Sequence, residues 1–308
     1  MYLGLDIGSS SSKVALLGEA GEILAAQVVN LGTGTKGVHQ ALEAAYAQAG
    51  AGPEGVRYAV VTGYGRMTYQ GADKQITEIS CHAKGVRHLS PEARTIVDVG
   101  GQDTKVIRLN DQGGVENFVM NDKCAAGTGR FLEVMARVLD CPIQSLAQLA
   151  RAGEAPVSIS NLCTVFAESE VISHLAAGVS QANVAAGAIH SIATRIVGMA
   201  GRVGVEPQVV MTGGGALNGA LVDALSQSLH QPVQVLGNPQ VMGALGPPCL
   251  PGSLPKSRPR RPLSEALSPW FQNQSGASQG RQHICCRPWL FYPFGKHAVS
   301  RTDGQPFP

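Results

Sequence analysis

The sequence predicts an α/β protein of two related lobes, followed by a tail of different composition. Two segments read strand, Asp, apolar residue, Gly, four residues, Lys-Val and strand; one begins at Asp6 and the other 92 residues later, at Asp98. Such self-similarity indicates a repeated structural unit. Charge marks the tail: residues 1–246 carry 16 basic and 20 acidic side chains, whereas residues 247–308 carry 8 and 2, with 11 of the 18 prolines.

The first lobe is predicted to begin with a strand, a tight polar turn and a returning strand. An apolar run ends at Asp6, and Val14–Leu17 follows the turn as the second strand. Ile23–Asn30 alternates as a third strand, Gly37–Gly50 has apolar residues at helical spacing, and Tyr58–Thr62 is a further strand.

The second lobe is predicted to repeat this start and then to become mostly helical. Thr95–Asp98 and Val106–Leu109 are the repeated strands. The remaining elements follow from apolar spacing and Gly-rich turns: helices near Arg130–Leu139, from Thr164 and over Asn183–Val203, strands at Val209–Met211 and Val233–Leu236, and a last helix from Gly243 that Pro247 stops.

Composition excludes several classes of protein. No apolar run approaches the roughly 18–20 residues that cross a bilayer, and Asp6 and Lys13 interrupt the apolar start, unlike in a signal peptide. Four cysteines in residues 1–246 are too few for a disulfide scaffold. Because the net charge of +2 averages two unlike segments, it indicates neither a nucleic-acid nor a membrane partner. We expect a soluble cytoplasmic protein.

The turns after these strands suit a nucleotide. Small residues let backbone N–H groups reach phosphate oxygens that a Cβ would obstruct, serine hydroxyls add donors, and Lys13 adds a positive charge. Asp6 and Asp98 each close a strand and are placed to hold a hydrated Mg²⁺. Thr212–Ala216 suits a backbone-lined pocket for adenosine or the α-phosphate. The sequence has no Walker-type glycine motif, and no Gly-x-Gly-x-x-Gly fingerprint opens a Rossmann unit, so the site is of another kind.

Two Asp-x-Gly hairpins and a distal Gly-Gly-Gly strand end resemble the actin, sugar kinase and Hsp70 superfamily. In that fold two RNase H-like lobes, here about 1–90 and 91–246, form an actin-like ATPase domain that closes on ATP and Mg²⁺. The resemblance implies phosphate contacts from Ser9, Ser10, Ser11, Ser12, Lys13, Gly100 and Gly101. It implies adenosine contacts from Gly213, Gly214, Gly215, Ala216 and Gly243. Metal-linked or water-orienting roles fall to Asp6, Asp98, Gln102 and Asp103, and further nucleotide contacts to Gly129 and Arg130 in a Gly-rich turn.

Cys124 and Cys163 each precede a predicted helix. A thiolate at a helix N-terminus faces unsatisfied N–H groups and the positive end of the helix dipole, which favours metal or cluster ligation. Spacing alone also allows two buried structural thiols, because the sequence has no Cys-x-x-Cys. Cys81 and Cys141 are interpreted as structural, and a zinc site built from Cys81 and His82 is disfavoured because adjacent residues rarely chelate one ion.

The residues around these cysteines point to a family. Asn121-Asp-Lys-Cys-Ala-Ala-Gly-Thr-Gly-Arg-Phe-Leu132 and Cys163-Thr-Val-Phe-Ala-Glu-Ser-Glu170 closely resemble the ATP-dependent activators of (R)-2-hydroxyacyl-CoA dehydratases. So do Thr62-Gly-Tyr-Gly-Arg66 and Ile96-Val-Asp-Val-Gly-Gly-Gln-Asp103, and the resemblance covers residues 1–246. A looser resemblance links the chain to the ATPase subunits of benzoyl-CoA reductase.

The resemblance implies that Cys124 and Cys163 each ligate a 4Fe–4S cluster. A cubane cluster takes four thiolates and this pair supplies two, so we expect a C2 homodimer with one cluster on its twofold axis. The implied activity is ATP-driven transfer of an electron from reduced ferredoxin or flavodoxin, through the cluster, to a separate 2-hydroxyacyl-CoA dehydratase. No acyl-CoA site is expected in the activator itself.

Three alternatives share the nucleotide fold: an ATPase subunit of a benzoyl-CoA reductase-like enzyme, a small-molecule kinase and a chaperone-like ATPase. A kinase needs an acceptor-binding insert and a base, for which 246 residues leave little room. A chaperone needs a substrate-binding module after the ATPase, and residues 247–308 contain no alternating strands to build one. ATP hydrolysis by a protein without an iron–sulfur chromophore would favour either of these last two.

Residues 247–308 show no helical or strand period, so we predict that this segment is disordered. The abrupt change of composition after Gly246 also fits a shifted reading frame. Cys285-Cys286 and the aromatic run Trp289–Phe294 are disfavoured as a metal site or a membrane element, since adjacent cysteines lack chelating spacing.

Overall fold

The computed structural model describes residues 1–246. The strands are β1 (Tyr2–Ile7), β2 (Ser12–Leu17), β3 (Ile23–Val29), β4 (Tyr58–Thr62), β5 (Lys74–Gln75), β6 (Thr95–Val99), β7 (Thr104–Leu109), β8 (Val115–Asn121), β9 (Val209–Thr212) and β10 (Val233–Val235). The helices are α1 (Gly37–Ala49), α2 (Glu78–Leu89), α3 (Gly129–Val138), α4 (Leu146–Arg151), α5 (Thr164–Ala176), α6 (Gln181–Val203), α7 (Gly219–Leu229) and α8 (Met242–Leu245). The predictions made for residues 247–308 lie outside the described residues.

The strands form two five-stranded sheets of the same design. Their orders are β3-β2-β1-β4-β5 and β8-β7-β6-β9-β10. In each sheet the central strand, β1 or β6, pairs antiparallel with the strand that follows it in the chain. On its other side it pairs parallel with β4 or β9. This repeated topology confirms the two-lobed α/β fold that the duplicated Asp-x-Gly segments predict.

The two hairpins also share one register. Asp6 lies opposite Lys13 across β1 and β2, and Asp98 lies opposite Lys105 across β6 and β7. Residues directly opposite each other on an antiparallel pair project to the same face. Each hairpin therefore carries a cross-strand Asp–Lys pair close to its turn.

Helix α6 is the centre of the larger hydrophobic core. Its buried residues include Ile189, Ile192 and Ile196, which pack in one cluster with Phe131 and Met135 of α3. Among the described residues, α6 alone is long and apolar enough to cross a membrane, and 67% of its most apolar stretch is buried inside the protein. Core packing therefore accounts for its apolar composition.

Helices α2 and α8 pack closely at two glycines. A Cβ on Gly85 would collide with the carbonyl oxygen of Met242, and a Cβ on Gly246 would collide with that of Cys81. Leu245 of α8 shares a smaller core with buried residues of α2 and β2. Helix α8, at the end of the described residues, thus packs against α2 and against β2 of the first sheet.

The predicted division into lobes of about 1–90 and 91–246 separates the strands of the two sheets but not all of the helices. Helix α8 belongs to the second range and packs on α2 and β2 of the first. The division therefore stays a prediction, with α8 as its exception.

Replacing Gly85 by alanine is expected to lower the free energy of unfolding by about 1–3 kcal/mol, because the added methyl group has no room against the backbone of Met242. Gly198→Ala is the matched control, since Gly198 lies within α6 and nothing lies within 4 Å of its missing Cβ. That change is expected to raise the free energy of unfolding by up to about 1 kcal/mol. Urea unfolding measures both, and equal stability of the two variants would contradict the close packing of α2 and α8.

Candidate nucleotide cleft and cysteine site

A cleft of about 830 Å³ opens at the turns that connect β1 to β2 and β6 to β7. The structure brings most of the predicted nucleotide residues together there, from segments far apart in the chain. Those that line the cleft are Asp6, Ser9, Ser10, Ser11, Lys13, Asp98, Gly100, Gly101, Gln102, Asp103, Gly129, Gly213, Gly214 and Gly215.

The two turns are closed by the same hydrogen bond. Gly8 N–H donates to Ser11 O, and Gly100 N–H donates to Asp103 O, each at 2.9 Å. The turns also meet, because a Cβ on Gly101 would collide with a serine side chain of the first turn. Two small-residue turns therefore border one space, as an arrangement that cradles phosphate oxygens requires.

Asp98 is 2% exposed, and each of its two carboxylate oxygens contacts a hydrogen-bond donor. Oδ1 accepts a hydrogen bond from Thr212 Oγ1 at 2.8 Å, and Oδ2 lies 3.1 Å from Lys105 Nζ. Burial alone would raise the pKa of Asp98, but His82, Lys105 and the Thr212 hydroxyl together hold it well below its usual range. Asp98 is therefore ionised at neutral pH.

Lys105 is 1% exposed and contacts three carboxylates. Its Nζ lies 2.8 Å from Glu78 Oε1, 3.1 Å from Asp98 Oδ2 and 2.5 Å from Asp103 Oδ2. Burial alone would lower the pKa of Lys105, but the three carboxylates raise it well above its usual value. Burial raises the pKa of Glu78, although the charge of Lys105 opposes this. Lys105 thus fixes Asp103, whereas Gln102 is an exposed residue of the cleft wall.

Asp6 has an unpaired oxygen where Asp98 has none. Lys13 Nζ lies 3.2 Å from Asp6 Oδ2, while Asp6 Oδ1 is buried and accepts no hydrogen bond from the described residues. Burial alone would lower the pKa of Lys13, but the charge and hydrogen bond of Asp6 raise it. A buried carboxylate oxygen without a donor suits a metal-bound water. Of the two aspartates predicted to hold a hydrated Mg²⁺, Asp6 therefore has the more suitable oxygen.

His82 of α2 lies between the two aspartates. Its Nδ1 is 3.5 Å from Asp98 Oδ1. On the other side, a Cβ on Gly243 would lie 2.9 Å from His82 Nε2 and 2.8 Å from Asp6 Oδ2. Gly243, predicted as an adenosine contact, does not line the cleft, because α8 brings its backbone against Asp6 and His82 instead.

Three further predicted nucleotide residues do not line the cleft. Ser12 donates its hydroxyl to Leu31 O at 2.7 Å, Arg130 pairs with Glu133 at 3.0 Å on the surface, and Ala216 is buried. In each case a residue next to it in the sequence does line the cleft. Neighbouring side chains of a strand or turn point in different directions, so these turns reach the cleft although these three residues do not line it.

Sequence reasoning missed a second repeat at the cleft. Thr62 ends β4 and Thr212 ends β9, and a glycine follows each of them. In the paired strands each threonine lies beside the aspartate of β1 or β6. Gly63 and Gly213 have φ angles of 86° and 81°, the left-handed region that favours glycine. A Cβ on either would crowd an oxygen of the neighbouring aspartate. The signal was the motif Thr-Gly-x-Gly, which recurs after 150 residues.

Glu78, His82 and Lys105 complete the site and were not predicted as members of it. For Lys105 the sequence contained an indication, because this lysine ends the second Asp-x-Gly segment. Glu78 and His82 belong to α2, a helix that the sequence did not predict. Glu78, His82 and Asp98 place ligand atoms within 4.8 Å of one another and could hold a metal ion, but the Lys105 ammonium already lies against both carboxylates. Cys81 is outside this group, and burial raises its pKa to about 12, as in a structural thiol.

Cys124 and Cys163 lie in neighbouring loops. Cys163 is the N-cap residue of α5, and Cys124 Sγ lies 3.7 Å from Leu162 O, in the residue before Cys163. Both cysteines precede a helix, as the sequence predicts, but Cys124 lies five residues before α3 and not at its first turn. The reason is a separate turn, in which the Asn121 amide donates to the carbonyls of Cys124 and Ala126 at 2.9 and 3.0 Å.

The loop that carries Cys124 is tied to the second nucleotide turn. The N–H groups of Gly129 and Arg130, the first two residues of α3, donate to carbonyls of that turn at 2.8 Å each. Thr104 Oγ1, at the start of β7, donates to Gly127 O at 2.5 Å. A displacement of the nucleotide turn would therefore reach the cysteine loop through the start of α3, by two of these hydrogen bonds, and through the start of β7, by the third.

The sequence and the fold are similar to those of known ATPases. The pattern of the BadF/BadG/BcrA/BcrD ATPase family matches residues 3–247. The chain is 54% identical over 247 residues to the activator of lactoyl-CoA dehydratase of Anaerotignum propionicum, covering 80% of this chain and 95% of that protein. It is 45% identical over 245 residues to the (R)-2-hydroxyglutaryl-CoA dehydratase activating ATPase of Acidaminococcus fermentans, covering 79% and 94%.

Among solved structures, the activator of the 2-hydroxyisocaproyl-CoA dehydratase from Clostridium difficile with bound ADPNP aligns with a TM-score of 0.78 and 42% sequence identity. The alignment covers 91% of this chain and 99% of that one. Both the matched sequence pattern and this structural similarity span the two sheets and the cleft between the hairpins. The chain therefore belongs to the BadF/BadG/BcrA/BcrD ATPase family.

Proposed function

We propose that the protein is the ATP-dependent activator of a 2-hydroxyacyl-CoA dehydratase. It transfers an electron from reduced ferredoxin or flavodoxin, through a 4Fe–4S cluster shared by two copies of the chain, to the dehydratase, and ATP hydrolysis drives the transfer. The relatives support this class of partner, since they are named for lactoyl-CoA and (R)-2-hydroxyglutaryl-CoA dehydratases. We expect the protein to act in the cytoplasm.

The observation that carries the proposal is the adjacency of the two cysteine loops. The contact between Cys124 Sγ and Leu162 O brings Cys124 next to the residue that precedes Cys163. Both cysteines are half-buried free thiols, so both are accessible to a ligand. Thiolates are the usual ligands of a 4Fe–4S cluster, which supplies one-electron redox chemistry when bound. One chain provides two thiolates, and a C2 homodimer provides the four that such a cluster takes.

Apolar side chains beside Cys163 support the homodimer. Leu162, Val165 and Phe166 are 72, 64 and 64% exposed. Large apolar side chains grouped on a surface are typical of an interaction site. A second copy of the chain that covers these side chains brings its own Cys124 and Cys163 to the same place, which completes the ligand set.

The cleft supports ATP with Mg²⁺ as the nucleotide. The similar activator was solved with bound ADPNP. In this chain, Lys13 lines the same cleft as the small-residue turns and can neutralise phosphate charge, while the unpaired oxygen of Asp6 can accept a hydrogen bond from a metal-bound water. Asp103 and Gln102 are the candidates for orienting the attacking water. Asp103 has the better defined position, because Lys105 holds its carboxylate.

The hydrogen bonds between the second nucleotide turn and the Cys124 loop support coupling between ATP and electron transfer. Hydrolysis changes the charge and the contacts of the phosphates at the turn that contains Gly100 and Gly101. The turn carbonyls accept hydrogen bonds from the first residues of α3, and Thr104 holds Gly127. A change in the turn therefore acts on the surroundings of Cys124, and the redox properties of a cluster depend on those surroundings.

Anaerobically prepared protein tests this function. We expect a brown dimer with about four iron atoms per two chains. With reduced ferredoxin and ATP it should activate a purified 2-hydroxyglutaryl-, lactoyl- or 2-hydroxyisocaproyl-CoA dehydratase, and ADP in place of ATP should give no activation. ATP hydrolysis by a protein that binds no iron would contradict the proposal and would favour a kinase or a chaperone-like ATPase.

A further inference from the structure

Arg195 of α6 contacts both cysteine loops. Its Nη1 donates to Asn161 O at 2.9 Å, in the loop that leads to Cys163. Its side-chain stem lies against Gly127 in the other loop, where a Cβ would come within 2.9 Å of Arg195 Cδ and 3.3 Å of its Nε. Gly127 has a φ of 89°, so both its conformation and its contact with Arg195 require glycine.

A second residue of α6 reinforces this attachment. Ser191 lies one helical turn before Arg195 and donates its hydroxyl to Ser160 O at 3.0 Å. The Ser160 N–H in turn donates to Glu170 of α5 at 2.6 Å. The main chain before Cys163 is thus held from the α6 side at two consecutive residues, while its next carbonyl accepts the weak hydrogen bond from the Cys124 thiol.

The charge of Arg195 has no counterion in the described part of the chain. Arg195 takes part in none of the ion pairs found among residues 1–246. Its Nε is buried and finds no hydrogen-bond partner there. A partly buried guanidinium without a carboxylate is unfavourable unless a negative group shares its surroundings. The negative groups that the proposed function brings to these loops are the cysteine thiolates and their cluster.

We propose that Arg195 is a positioning residue of the iron–sulfur site, which fixes both cysteine loops and whose positive charge favours the reduced cluster. This rests on the proposed function. A cluster with four thiolate ligands is anionic and gains a further negative charge on reduction, so a nearby cation stabilises the reduced state. Removal of the charge should therefore lower the midpoint potential of the cluster. Removal of the guanidinium group should also break its hydrogen bond to Asn161 O and so weaken the attachment of the cysteine loops to α6.

The test compares wild-type protein with Arg195→Gln, Arg195→Lys and Arg202→Gln, all prepared anaerobically. Arg202→Gln is the matched control, because Arg202 is an exposed residue of the same helix and the change in charge is identical. Iron per dimer, the midpoint potential from an electron paramagnetic resonance titration, and the urea unfolding of iron-free protein are measured. We expect a lower potential in Arg195→Gln, a wild-type potential in Arg202→Gln, and a potential restored toward wild type in Arg195→Lys.

The outcomes separate this proposal from the proposed function. Wild-type protein without iron overturns both. Wild-type protein with a cluster, together with an unchanged potential in Arg195→Gln, overturns the role of Arg195 alone. If Arg195→Gln does not retain iron, Arg195→Lys decides: recovery of iron binding at the wild-type potential supports the proposal, and loss of iron in both variants overturns the role of the charge.

Discussion

A Lys105→Met protein is expected to have a free energy of unfolding about 3–5 kcal/mol below that of the wild type and to lose ATP hydrolysis. Lys105 is 1% exposed and lies against Glu78, Asp98 and Asp103. Methionine has a similar length but no charge, so it leaves three carboxylates together without their cation. Uncompensated buried charge is more unfavourable than the loss of a surface ion pair, and Asp103 also loses the contact that orients it.

Arg57→Met is the matched control for this loss of charge. Arg57 Nη1 lies 2.8 Å from Glu19 Oε1, and both side chains are more than 60% exposed. Loss of such a surface pair changes stability by less than about 1 kcal/mol. Urea unfolding measures stability, and phosphate release measures ATP hydrolysis. If Lys105→Met and Arg57→Met had similar free energies of unfolding, the contacts of Lys105 with the three carboxylates would not stabilise the protein. If Lys105→Met does not fold, Asp103→Asn, at a 26% exposed side chain, should fold and still hydrolyse ATP more slowly.

The pH dependence of stability measures the same contacts independently. Burial alone would lower the pKa of Lys105, but Asp98, Glu78 and Asp103 raise it above 10.5. The folded protein therefore binds this proton more tightly than the unfolded chain does. The stabilisation is complete below pH 10.5 and is lost as the pH rises through the folded-state pKa. Lys105→Met protein should lack this part of the alkaline loss of stability.

The two hairpins could be predicted because their requirements are local. Asp6 and Asp98 each end an apolar run of the sequence, glycine follows two residues later, and Lys13 and Lys105 recur at the same distance. Strand, turn and register follow from those few residues, and the identical cross-strand pairs of the two sheets agree with them. The resemblance to the family, carried by the residues around Cys124, is confirmed by the family match over residues 3–247.

The contribution of α2 to the cleft could not be predicted, because it depends on the tertiary contacts of that helix. That helix contains basic residues and the interior Gly85, so its overall composition is polar although its apolar residues lie on one face, and its burial comes from α8 and both sheets. Glu78 and His82 become site residues only through this packing. Strand β8 was missed for a related reason, since it has no fully buried residue and its alternation carries little hydrophobic signal.

The contact between the cysteine loops also could not be predicted from the spacing of residues in the sequence. Cys124 and Leu162 are 38 residues apart in the chain, and their contact depends on how α3 and α5 pack on α6. The sequence suggested the same helix-terminal environment for both thiols, but Asn121 closes a separate turn around Cys124. Motifs therefore predict which cysteines are ligands, whereas the fold determines how different the surroundings of the two cysteines are.

Cys124→Ser and Cys163→Ser are each expected to reduce bound iron from about four atoms per dimer to nearly none and to abolish activation of the dehydratase. The effect of a single substitution is large because a homodimer contains each residue twice, so one change removes two of the four thiolates. ATP hydrolysis should persist, since neither cysteine lines the nucleotide cleft. Iron analysis, visible spectra and phosphate release on the same anaerobic samples measure these three quantities together.

Cys141→Ser is the matched control, because Cys141 is a half-buried free thiol that packs against the hydrophobic core around α6. Burial raises the pKa of Cys141, which disfavours the thiolate that a cluster requires. The variant should keep its full iron content. Full iron in Cys124→Ser or Cys163→Ser would show that the ligands lie elsewhere. Equal iron loss in all three variants would indicate general destabilisation instead. Urea unfolding of the iron-free proteins distinguishes that case, because loss of a ligand alone leaves their free energy of unfolding unchanged.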